Sequence, residues 1–469
     1  MSTHTAAASR PLRSDAGRPL RLAESVRCTD GLRMSTAAFF DWLAERRATH
    51  AQRVERIRFD EMSQWHADPD TGDLRHRSGR FFSVQGLRVH SDFGPVAAWA
   101  QPIISQPECG ILGIAVREFD GVPHLLMQAK SEPGNINGVQ LSPTVQATRS
   151  NYTRVHGGSP VPYLDLFRSP EPGRVLADVL QSEQGSWFYR KRNRNMVIEA
   201  GAEVEAGEDF CWLTLGQLHA LMRHEDLINM DARTVLSCLP DWHTGADDAS
   251  EAPRRGTDLH TDREIRSWLT GRRAEHRLST ERLPLTRVPD WRWSPEALSH
   301  DSGRYFSIVA VHVGSRSREV PTWSQPLLRP HGDGVAALLV RRIGGVAHAL
   351  MRARVEPGFA DGVELGPTVQ CTPENYAHLP AAARPPYLDL VLGRRAERTR
   401  FDTVLSEEGG RFHHARSRYL IIEAEPGDPV EEGMEFRWVS ERQLDELLRY
   451  SGHLNVQART LVAALRTLR

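Results

Sequence analysis

One short polar stretch occurs twice in this 469-residue chain, and the duplication limits what the chain can fold into. The first copy runs from Pro143 to Tyr152 and the second from Pro367 to Tyr376, which is 224 positions later. Around them, residues 78–166 align without a gap with residues 302–390 and are identical at 38 of 89 positions. Two copies of about 200 residues are too long and too few for a solenoid, so the sequence predicts a duplicated domain.

The residues that both copies of the stretch keep are polar. They are Thr144, Gln146, Thr148, Asn151 and Tyr152 in the first copy and Thr368, Gln370, Thr372, Asn375 and Tyr376 in the second. Amides, hydroxyls and a phenol can hold a ligand in one orientation. A loop whose polar side chains satisfy its own backbone would show the same pattern. The residues alone leave both interpretations open.

Composition excludes several classes of protein. Fifty-nine basic and 60 acidic residues leave a net charge of −1, so no overall field favours a nucleic acid partner. Five cysteines are an odd number and form no C-x-x-C pair, which favours reduced thiols over disulfides or structural zinc. No apolar run is long enough for a bilayer or a signal peptide. We therefore expect a cytoplasmic protein without a membrane segment.

Composition shifts divide the chain into four segments. Residues 1–34 are rich in Ala, Ser, Thr and Arg without an apolar period, which predicts mostly a mobile tail whose end could pack elsewhere. Residues 35–240 form the first repeat and residues 259–469 the second. Residues 241–258, rich in Asp, Ala, Gly and Pro, are typical of a linker. The chain exceeds what one core usually supports, so two domains are expected.

Turn and capping signals indicate that each repeat mixes strands with flanking helices. Asp120-Gly121 joins two apolar runs, and Gly344-Gly345 joins the corresponding runs of the second repeat, as in tight hairpins. Thr214-x-x-Gln217 and Ser440-x-x-Gln443 are capping boxes that begin two helices. The sequence thus predicts a mixed α/β (α+β) fold.

Several well-known sites lack their parts in this chain. We find no G-x-G-x-x-G, Walker, H-E-x-x-H or G-x-S-x-G motif, which argues against dinucleotide, P-loop, zincin and serine-hydrolase sites. What remains is a set of residues in the first repeat. Its basic members could neutralise a diphosphate or could form a solvated turn: Arg149, Arg154, Arg190, Lys191, Arg192 and Arg194. Trp65 and Trp187 could stack on a base or sugar, or could belong to the core.

Possible proton carriers concentrate in the same repeat. They are Lys130, Glu132, Tyr152, His156, Tyr163, Asp165 and Glu183. The second copy keeps five of these but replaces Lys130 by Arg354 and His156 by Pro380, and it also carries Arg411 where the first has Trp187. We interpret the copies as two related pockets with different side chains. One of them does chemistry, while the other binds a ligand or is a remnant.

The motifs around these residues resemble the nucleotide-diphosphohexose 2,3-dehydratase family of deoxysugar biosynthesis. They are Gln101–Ile104, His124–Lys130, Glu132–Asn135, Pro143–Tyr152 and their second-copy counterparts. The resemblance runs from about Phe39 to the C-terminus. It implies two tandem modules similar to the Nudix hydrolase fold, each an α/β/α sandwich, and a homodimer. The Nudix box, whose glutamates bind catalytic metals, is absent from both copies, so a diphosphate should be held and not cut.

The resemblance also implies a substrate of the type dTDP-4-keto-6-deoxyglucose. A base would remove the C3 proton, an acid would help the C2 hydroxyl leave, and the enol would protonate at C2 to give a 3,4-diketo-2,6-dideoxy sugar. The C4 ketone is already oxidised, so no redox cofactor is needed, and no metal is required. The catalytic candidates are Lys130, Tyr152 and Glu183. The labile product would pass to a 3-ketoreductase or a 3-aminotransferase.

We expect chemistry in the first repeat and nucleotide-sugar pockets at both copies of the polar stretch. The predicted substrate-binding residues are Trp65, Thr148, Arg149, Ser150, Asn151, Tyr152, Trp187, Arg192, Trp291, Arg354, Thr372, Pro373, Glu374, Asn375, Tyr376 and Arg418. Two other functions stay open. One is a metal-dependent hydrolase of nucleotide sugars on the same fold, and the other is a non-catalytic nucleotide-sugar-binding module.

Overall fold

Both repeats contain the same elements in the same order in the computed structural model, which describes residues 22–148, 160–171, 174–240, 257–315 and 320–468. The helices are α1 Leu22–Arg27, α2 Thr36–Thr49, α3 Leu164–Arg168, α4 Leu215–Leu221, α5 Met230–Ser237, α6 Asp262–Glu275, α7 Leu388–Leu392, α8 Glu441–Leu447 and α9 Val456–Arg466. The strands before α6 are β1 Gln52–Ile57, β2 Trp65–Ala67, β3 Leu74–His76, β4 Ser83–Ser91, β5 Ala98–Ser105, β6 Gly110–Phe119, β7 Val122–Ser131, β8 Val139–Pro143, β9 Val145–Ala147, β10 Val175–Ser182, β11 Arg192–Glu199 and β12 Phe210–Leu213. Those after α6 are β13 Leu278–Leu283, β14 Trp291–Trp293, β15 Ala297–His300, β16 Phe306–Ser315, β17 Thr322–Pro330, β18 Gly334–Ile343, β19 Val346–Val355, β20 Val363–Gly366, β21 Val369–Cys371, β22 Thr399–Ser406, β23 Arg416–Glu423 and β24 Phe436–Ser440.

The predicted hairpins and capping boxes are confirmed. Asp120-Gly121 and Gly344-Gly345 connect β6 to β7 and β18 to β19, with all four residues at positive φ, between 49° and 85°. Two successive residues with positive φ match the twist of the flanking strands. Thr214 caps α4 with Gln217, and Ser440 caps α8 with Gln443, so two donors are satisfied at each helix start.

Each repeat builds one large mixed sheet of seven strands. The first has the order β10-β11-β6-β7-β12, with β8 beside β7 and β9 beside β6. The second repeats this as β22-β23-β18-β19-β24, with β20 and β21 in the matching places. The central pairs β11–β6 and β23–β18 are parallel, and helices pack on the sheets. The fold is therefore the predicted mixed α/β fold with two similar halves.

The two smaller sheets exchange their first strands between the repeats. Strand β1 of the first repeat pairs antiparallel with β16, with Gln52 opposite Ser315 and Ile57 opposite Ala310. Strand β13 of the second repeat pairs in the same way with β4. The sequence predicted two consecutive domains and gave no sign of this exchange. Each small sheet is completed only when the other repeat is present.

The end of the predicted tail is ordered. Residues 22–27 form helix α1, which packs on α4 and β7, and Leu22 is only 4% exposed. Ser25 Oγ donates a hydrogen bond to Pro123 O at 2.5 Å, which ties this helix to a turn of the first large sheet. The sequence analysis allowed the end of the tail to pack elsewhere, and residues 22–27 do so. No helix among the described residues is long and apolar enough to cross a membrane.

Helices α5 and α9 meet where the two halves join, and each carries a fully buried arginine. Arg233 donates to Ile228 O at 2.5 Å and across the interface to Ser406 O at 2.7 Å. Arg459 donates to Leu454 O at 2.7 Å and across the interface to the backbone of Ser182. These guanidinium groups satisfy backbone oxygens that would otherwise be buried without donors. The halves are thus joined through the core as well as through the small sheets.

Glu364 gives this interface a pH dependence. Burial raises its pKa from 4.5 to about 7, while its Oε2 accepts a hydrogen bond from Ser182 at 2.5 Å. The unfolded chain therefore loses this proton at lower pH than the folded protein, and stability falls as pH rises from about 4.5 to 7. The corresponding residue of the first repeat is Gln140, which accepts from Ser406 at 2.8 Å and does not titrate.

We expect Glu364→Gln to raise the free energy of unfolding by roughly 1–3 kcal/mol at pH 8 and to change it little at pH 4. Urea unfolding at the two pH values measures this difference. The matched reverse change, Gln140→Glu, should introduce a loss of stability with rising pH. Equal gains at pH 4 and pH 8 for Glu364→Gln would show that the carboxyl group is not the cause.

Candidate functional site

Two loops carry residues of one repeat into the other. The first crossing loop, residues 183–191, joins β10 to β11, and the second crossing loop, residues 407–415, joins β22 to β23. Gly134 N donates to Gly409 O at 2.7 Å, and Gly358 N donates to Gly185 O at 2.7 Å. Each Glu-Pro-Gly turn, Glu132–Gly134 or Glu356–Gly358, is therefore docked on the crossing loop of the other repeat.

The Gln-Pro motifs in β5 and β17 hold the same loops. Gln101 Nε2 donates to Ser186 O at 2.8 Å, and Gln325 Nε2 donates to Gly410 O at 2.8 Å. At the centre the rings of Phe188 and Phe412 lie 5.3 Å apart. The repeated motifs of the sequence thus position the two crossing loops.

A cavity of about 910 Å³ opens at the second copy of the polar stretch, and its walls come from both repeats. The second repeat contributes Trp291, Tyr305, Arg352, Arg354, Glu356, Gln370, Thr372, Asn375, Tyr376 and Gln457, among others. The first repeat contributes residues 91–96, residues 99–101, Gln184, Ser186 and Trp187. A volume of this size fits a ligand larger than a simple metabolite.

A chain of hydrogen bonds fixes the polar wall of this cavity. Arg354 Nε donates to Glu356 Oε1 at 2.7 Å, and its Nη1 donates to Gln370 O at 3.0 Å. Gln370 Nε2 donates to the same glutamate oxygen at 2.9 Å. Asn455, the residue that caps α9, donates to Gln370 Oε1 at 2.7 Å. The repeated glutamine therefore aligns the Glu-Pro-Gly turn with a helix start.

The first repeat contains the same arrangement with lysine in place of arginine. Lys130 Nζ donates to Gln146 O at 3.2 Å and lies 3.9 Å from Glu132 Oε1. Gln146 Nε2 donates to Glu132 Oε1 at 2.8 Å, and Asn229, the cap of α5, donates to Gln146 Oε1 at 3.1 Å. These equivalent contacts define the first-repeat site, which consists of Lys130, Glu132 and the residues that meet them.

A cluster of buried carboxyl groups distinguishes the first-repeat site. Burial raises the pKa of Asp231 well above its usual range, and the negative charges of Glu183, Glu132 and Glu408 add to this. Burial also raises the pKa of Glu183, which accepts a hydrogen bond from Asn193. Burial raises the pKa of Glu408 to about 7. A site with such groups can hold and move protons near neutral pH.

The second-repeat cavity has amides at two of these positions. Gln457 replaces Asp231, and Gln184 replaces Glu408. Gln184 Nε2 donates to Glu407 Oε2 at 3.0 Å, and Glu407 Oε1 accepts from the Tyr419 hydroxyl at 2.9 Å. At the third position the second repeat keeps a carboxyl group, that of Glu407, which is engaged in these hydrogen bonds, whereas the first-repeat site has titratable groups at all three positions.

The crossing loops also exchange the aromatic and basic residues that the sequence assigned to their own repeats. Trp187 lines the second-repeat cavity and packs 4.7 Å from Phe412, so its predicted place in the first pocket is wrong. Its counterpart Arg411 enters the first-repeat site, where it lies 5.0 Å over the ring of Phe82 and 3.9 Å from Glu408. The basic charge of the first-repeat site therefore comes in part from the second repeat.

Other predicted residues divide between the cavity and the core. Trp291 lines the cavity and donates from its indole nitrogen to Ala100 O at 3.1 Å. Trp65 is 5% exposed and packs 4.7 Å from Phe82 in the core between the small sheets. Thr148 lies just after β9 and is partly buried.

The second copy of the polar stretch contributes to the cavity at three positions. Thr372, Asn375 and Tyr376 line it, while Pro373 and Glu374 lie in the short 3-10 helix Pro373–Asn375 and are not among the lining residues. Asn375 Oδ1 accepts from the backbone of Tyr305 at 3.2 Å. Burial raises the pKa of Tyr376, so its hydroxyl keeps its proton.

The first threonine of each copy has a structural role. Thr368 Oγ1 accepts from Leu339 N at 3.0 Å and donates to Leu350 O at 2.6 Å, and Thr144 makes the same two bonds in the first repeat. Both side chains satisfy backbone groups of the large sheets. Thr144 and Thr368 therefore fit the interpretation in which the polar stretch satisfies backbone groups. Thr372, Asn375 and Tyr376, which line the cavity, fit the interpretation in which it faces a ligand.

Two of the predicted basic residues outside the crossing loops form ion pairs. Arg192 pairs with Asp361 across the interface, and Arg418 makes a two-pronged pair with Asp402 at 2.6 and 2.8 Å. Neither arginine is among the residues that line the cavity. Arg149, Ser150, Asn151 and Tyr152, together with Arg154 and His156, lie outside the described residues.

The sequence patterns did not predict three residues of the first-repeat site, which are Asp231, Glu408 and Arg411. The signal was present in the aligned copies, where an acid stands opposite an amide at residues 408 and 184 and again at residues 231 and 457. Because the loops cross between the repeats, the sequence alone does not show which site each of these residues enters. In the described ranges, no group of three or more His, Cys, Asp or Glu residues is arranged to hold a metal ion.

The chain is similar along almost its whole length to known proteins that share one description. A sequence profile of the family described as "NDP-hexose 2,3-dehydratase" matches residues 36–239 and again residues 262–465. The chain is 50% identical over 451 residues to a protein of Amycolatopsis orientalis (95% of this chain, 93% of that protein). It is 49% identical over 475 residues to one of Saccharopolyspora spinosa (99% and 97%). Both relatives are described as "dTDP-4-dehydro-6-deoxy-alpha-D-glucopyranose 2,3-dehydratase", as is a Streptomyces violaceoruber protein of 51% identity over 440 residues (92% and 97%).

Proposed function

Because the chain belongs to the NDP-hexose 2,3-dehydratase family, we propose that it removes water from dTDP-4-keto-6-deoxyglucose across C2 and C3. The observation that carries this proposal is the identity of about half of all residues to dehydratases over almost the whole chain, including both repeats. The expected product is a dTDP-linked 3,4-diketo-2,6-dideoxy sugar.

The reaction needs a proton acceptor, a proton donor and groups that stabilise an enolate. The C4 ketone acidifies the C3 proton, and its removal expels the C2 hydroxyl, which leaves as water after protonation. The resulting enol loses its hydroxyl proton and gains one at C2. Lys130, Tyr152 and Glu183 remain our candidates for these roles.

We place this chemistry in the first-repeat site because Glu183, Asp231 and Glu408 form a cluster of protonatable carboxyl groups there. The second-repeat cavity has the amides of Gln184 and Gln457 at two of these positions, and amides do not exchange protons near neutral pH. Its basic and aromatic walls suit it to binding the nucleotide sugar without turnover. Both copies of the polar stretch would then contact ligand.

Incubation with dTDP-4-keto-6-deoxyglucose in deuterated water tests the proposal. We expect loss of one water molecule and one solvent deuterium at C2 of the sugar, detected by mass spectrometry and NMR. dTDP-glucose, which has no C4 ketone, is the matched control and should not react. A nucleoside monophosphate as product would instead identify a hydrolase, and binding without reaction would identify a nucleotide-sugar-binding module.

We also propose a homodimer in the cytoplasm that passes its product to a 3-ketoreductase or a 3-aminotransferase. The dimer rests on the family resemblance alone. The five cysteines are free thiols, which supports a reducing compartment. The 3-ketone of the product is the group on which a reductase or an aminotransferase would act.

A further inference from the structure

Glu408 reaches the first-repeat site from the second crossing loop. Its side chain is 11% exposed, and the charges of Arg411, Glu132 and Glu183 act on it. The Gly-Gly segment that follows it is fixed, because Gly134 N binds Gly409 O and Gln325 binds Gly410 O. The position of Glu408 is therefore set by contacts with both repeats.

The two carboxyl oxygens of Glu408 differ in their hydrogen bonds. Its Oε1 accepts a hydrogen bond from Gly410 N at 3.0 Å, while its Oε2 is buried and has no hydrogen-bond partner in the described part of the chain. Glu183 Oε2 and Asp231 Oδ1, in side chains more than nine-tenths buried, also lack partners there. Buried polar atoms without partners are costly and call for an explanation, of which a bound polar group is one. Three such oxygens in one cluster indicate a place for a polar ligand.

The second repeat shows which member of the cluster faces the ligand space. Gln184, the counterpart of Glu408, and Gln457, the counterpart of Asp231, both line the 910 Å³ cavity. Glu407, the counterpart of Glu183, is not among the lining residues and bonds to Tyr419 behind the wall. Because the two sites share their architecture, Glu408 and Asp231 hold the positions that correspond to lining residues, and Glu183 in its predicted role would act through them.

We propose that Glu408, supplied by the second repeat, is a catalytic residue of the first-repeat site that gives its proton to the departing C2 hydroxyl. This inference rests on the proposed dehydration. The C3 proton passes to the base, the C2–O bond breaks, the C2–C3 double bond forms, and the proton of Glu408 leaves in the water molecule. Glu408 regains a proton when the enol converts to the diketone.

The charge state of Glu408 suits this role. Burial raises its pKa to about 7, so a large fraction of the carboxyl group is protonated at neutral pH. A general acid must carry its proton, so activity that depends on it falls as pH rises through about 7. Asp231 would keep the cluster from holding several negative charges at once, since burial raises its pKa well above the usual range.

Glu408→Gln tests the proposal with the full-length protein. The change installs the residue that the chain itself has at the equivalent position 184, so folding should be preserved, as circular dichroism can verify. We expect turnover to fall by roughly a hundredfold or more, the fall of kcat above about pH 7 to disappear, and dTDP affinity to change little. Glu397→Gln, an exposed change in the same repeat, should retain wild-type turnover.

The outcomes separate this inference from the proposed function. If the wild type forms the diketo sugar and Glu408→Gln keeps more than a tenth of its turnover, or keeps the alkaline limb, Glu408 is not the acid although the enzyme is a dehydratase. If the wild type forms no product, both ideas fail. Should the glutamine variant not fold, Glu408→Asp retains an acid in a shifted position. It should lower kcat about tenfold and keep the alkaline limb, and unchanged kcat would overturn the inference.

Discussion

Replacing Tyr152 with phenylalanine is expected to slow turnover by roughly a hundredfold or more. The change keeps the ring and removes one hydroxyl. In the second repeat the corresponding Tyr376 lines the second-repeat cavity, and burial raises the pKa of its hydroxyl. A protonated phenol is a hydrogen-bond donor for a ketone oxygen that becomes an enolate. We propose that Tyr152 supplies this donor at the substrate, and kcat together with deuterium incorporation at C2 measures its loss.

The matched control is Tyr376→Phe. The second-repeat cavity has no counterpart of Asp231 or Glu408 that can titrate, so this change should affect turnover far less and should act on ligand affinity instead. Equilibrium binding of dTDP separates the two effects. A severe loss of turnover in Tyr376→Phe and a small one in Tyr152→Phe would place the active site in the second repeat.

The local structure of each repeat could be predicted because it depends on neighbouring residues. The Asp120-Gly121 and Gly344-Gly345 pairs determine their turns through positive φ, and the capping boxes at Thr214 and Ser440 begin helices as expected. These signals are short in range and appear in both copies. The Nudix-like identity of the modules stays a prediction.

The exchange of β1 and β13 could not be predicted for a related reason. The two repeats are similar in sequence, so β1 and β13 are alike, and so are their possible partners β4 and β16. In the structure β1 pairs with β16 and β13 pairs with β4. Alternation of side chains determines which face of a strand is buried but not which of two like sheets it joins. The strand exchange therefore depends on contacts between distant segments, which sequence patterns do not record.

The candidate site was predicted in part. Lys130 and Glu183 belong to the first-repeat site, and Arg354, Thr372, Asn375 and Tyr376 line the second-repeat cavity. Trp187 was assigned to the wrong pocket because the crossing loops exchange their residues. Asp231 lies at the start of α5, far along the chain from the polar stretch, and an acidic residue in the first turn of a helix has an ordinary structural explanation.

The composite site depends on a close approach that only glycine allows. A Cβ on Gly134 would lie 1.7 Å from Phe412 O and 2.6 Å from Gly409 O. The backbone of Gly134 also makes two hydrogen bonds to the second crossing loop, from its N to Gly409 O at 2.7 Å and from His414 N to its O at 2.8 Å. Gly134 is not among the described residues with positive φ, so close contact and not strain of the backbone excludes a side chain.

We therefore expect Gly134→Ala to lower the free energy of unfolding by roughly 3 kcal/mol or more, because the loop must move and both hydrogen bonds are lost. Urea unfolding measures this loss. Gly271→Ala is the matched control: its Cβ meets nothing within 4 Å in the interior of α6, so it should be neutral or stabilising by up to about 1 kcal/mol. Because Glu408 and Arg411 lie on the displaced loop, any folded Gly134→Ala protein should also lose dehydratase activity. Equal stability of the two alanine variants would contradict the docking of the Glu-Pro-Gly turn, and with it the argument that the second repeat completes the first-repeat site.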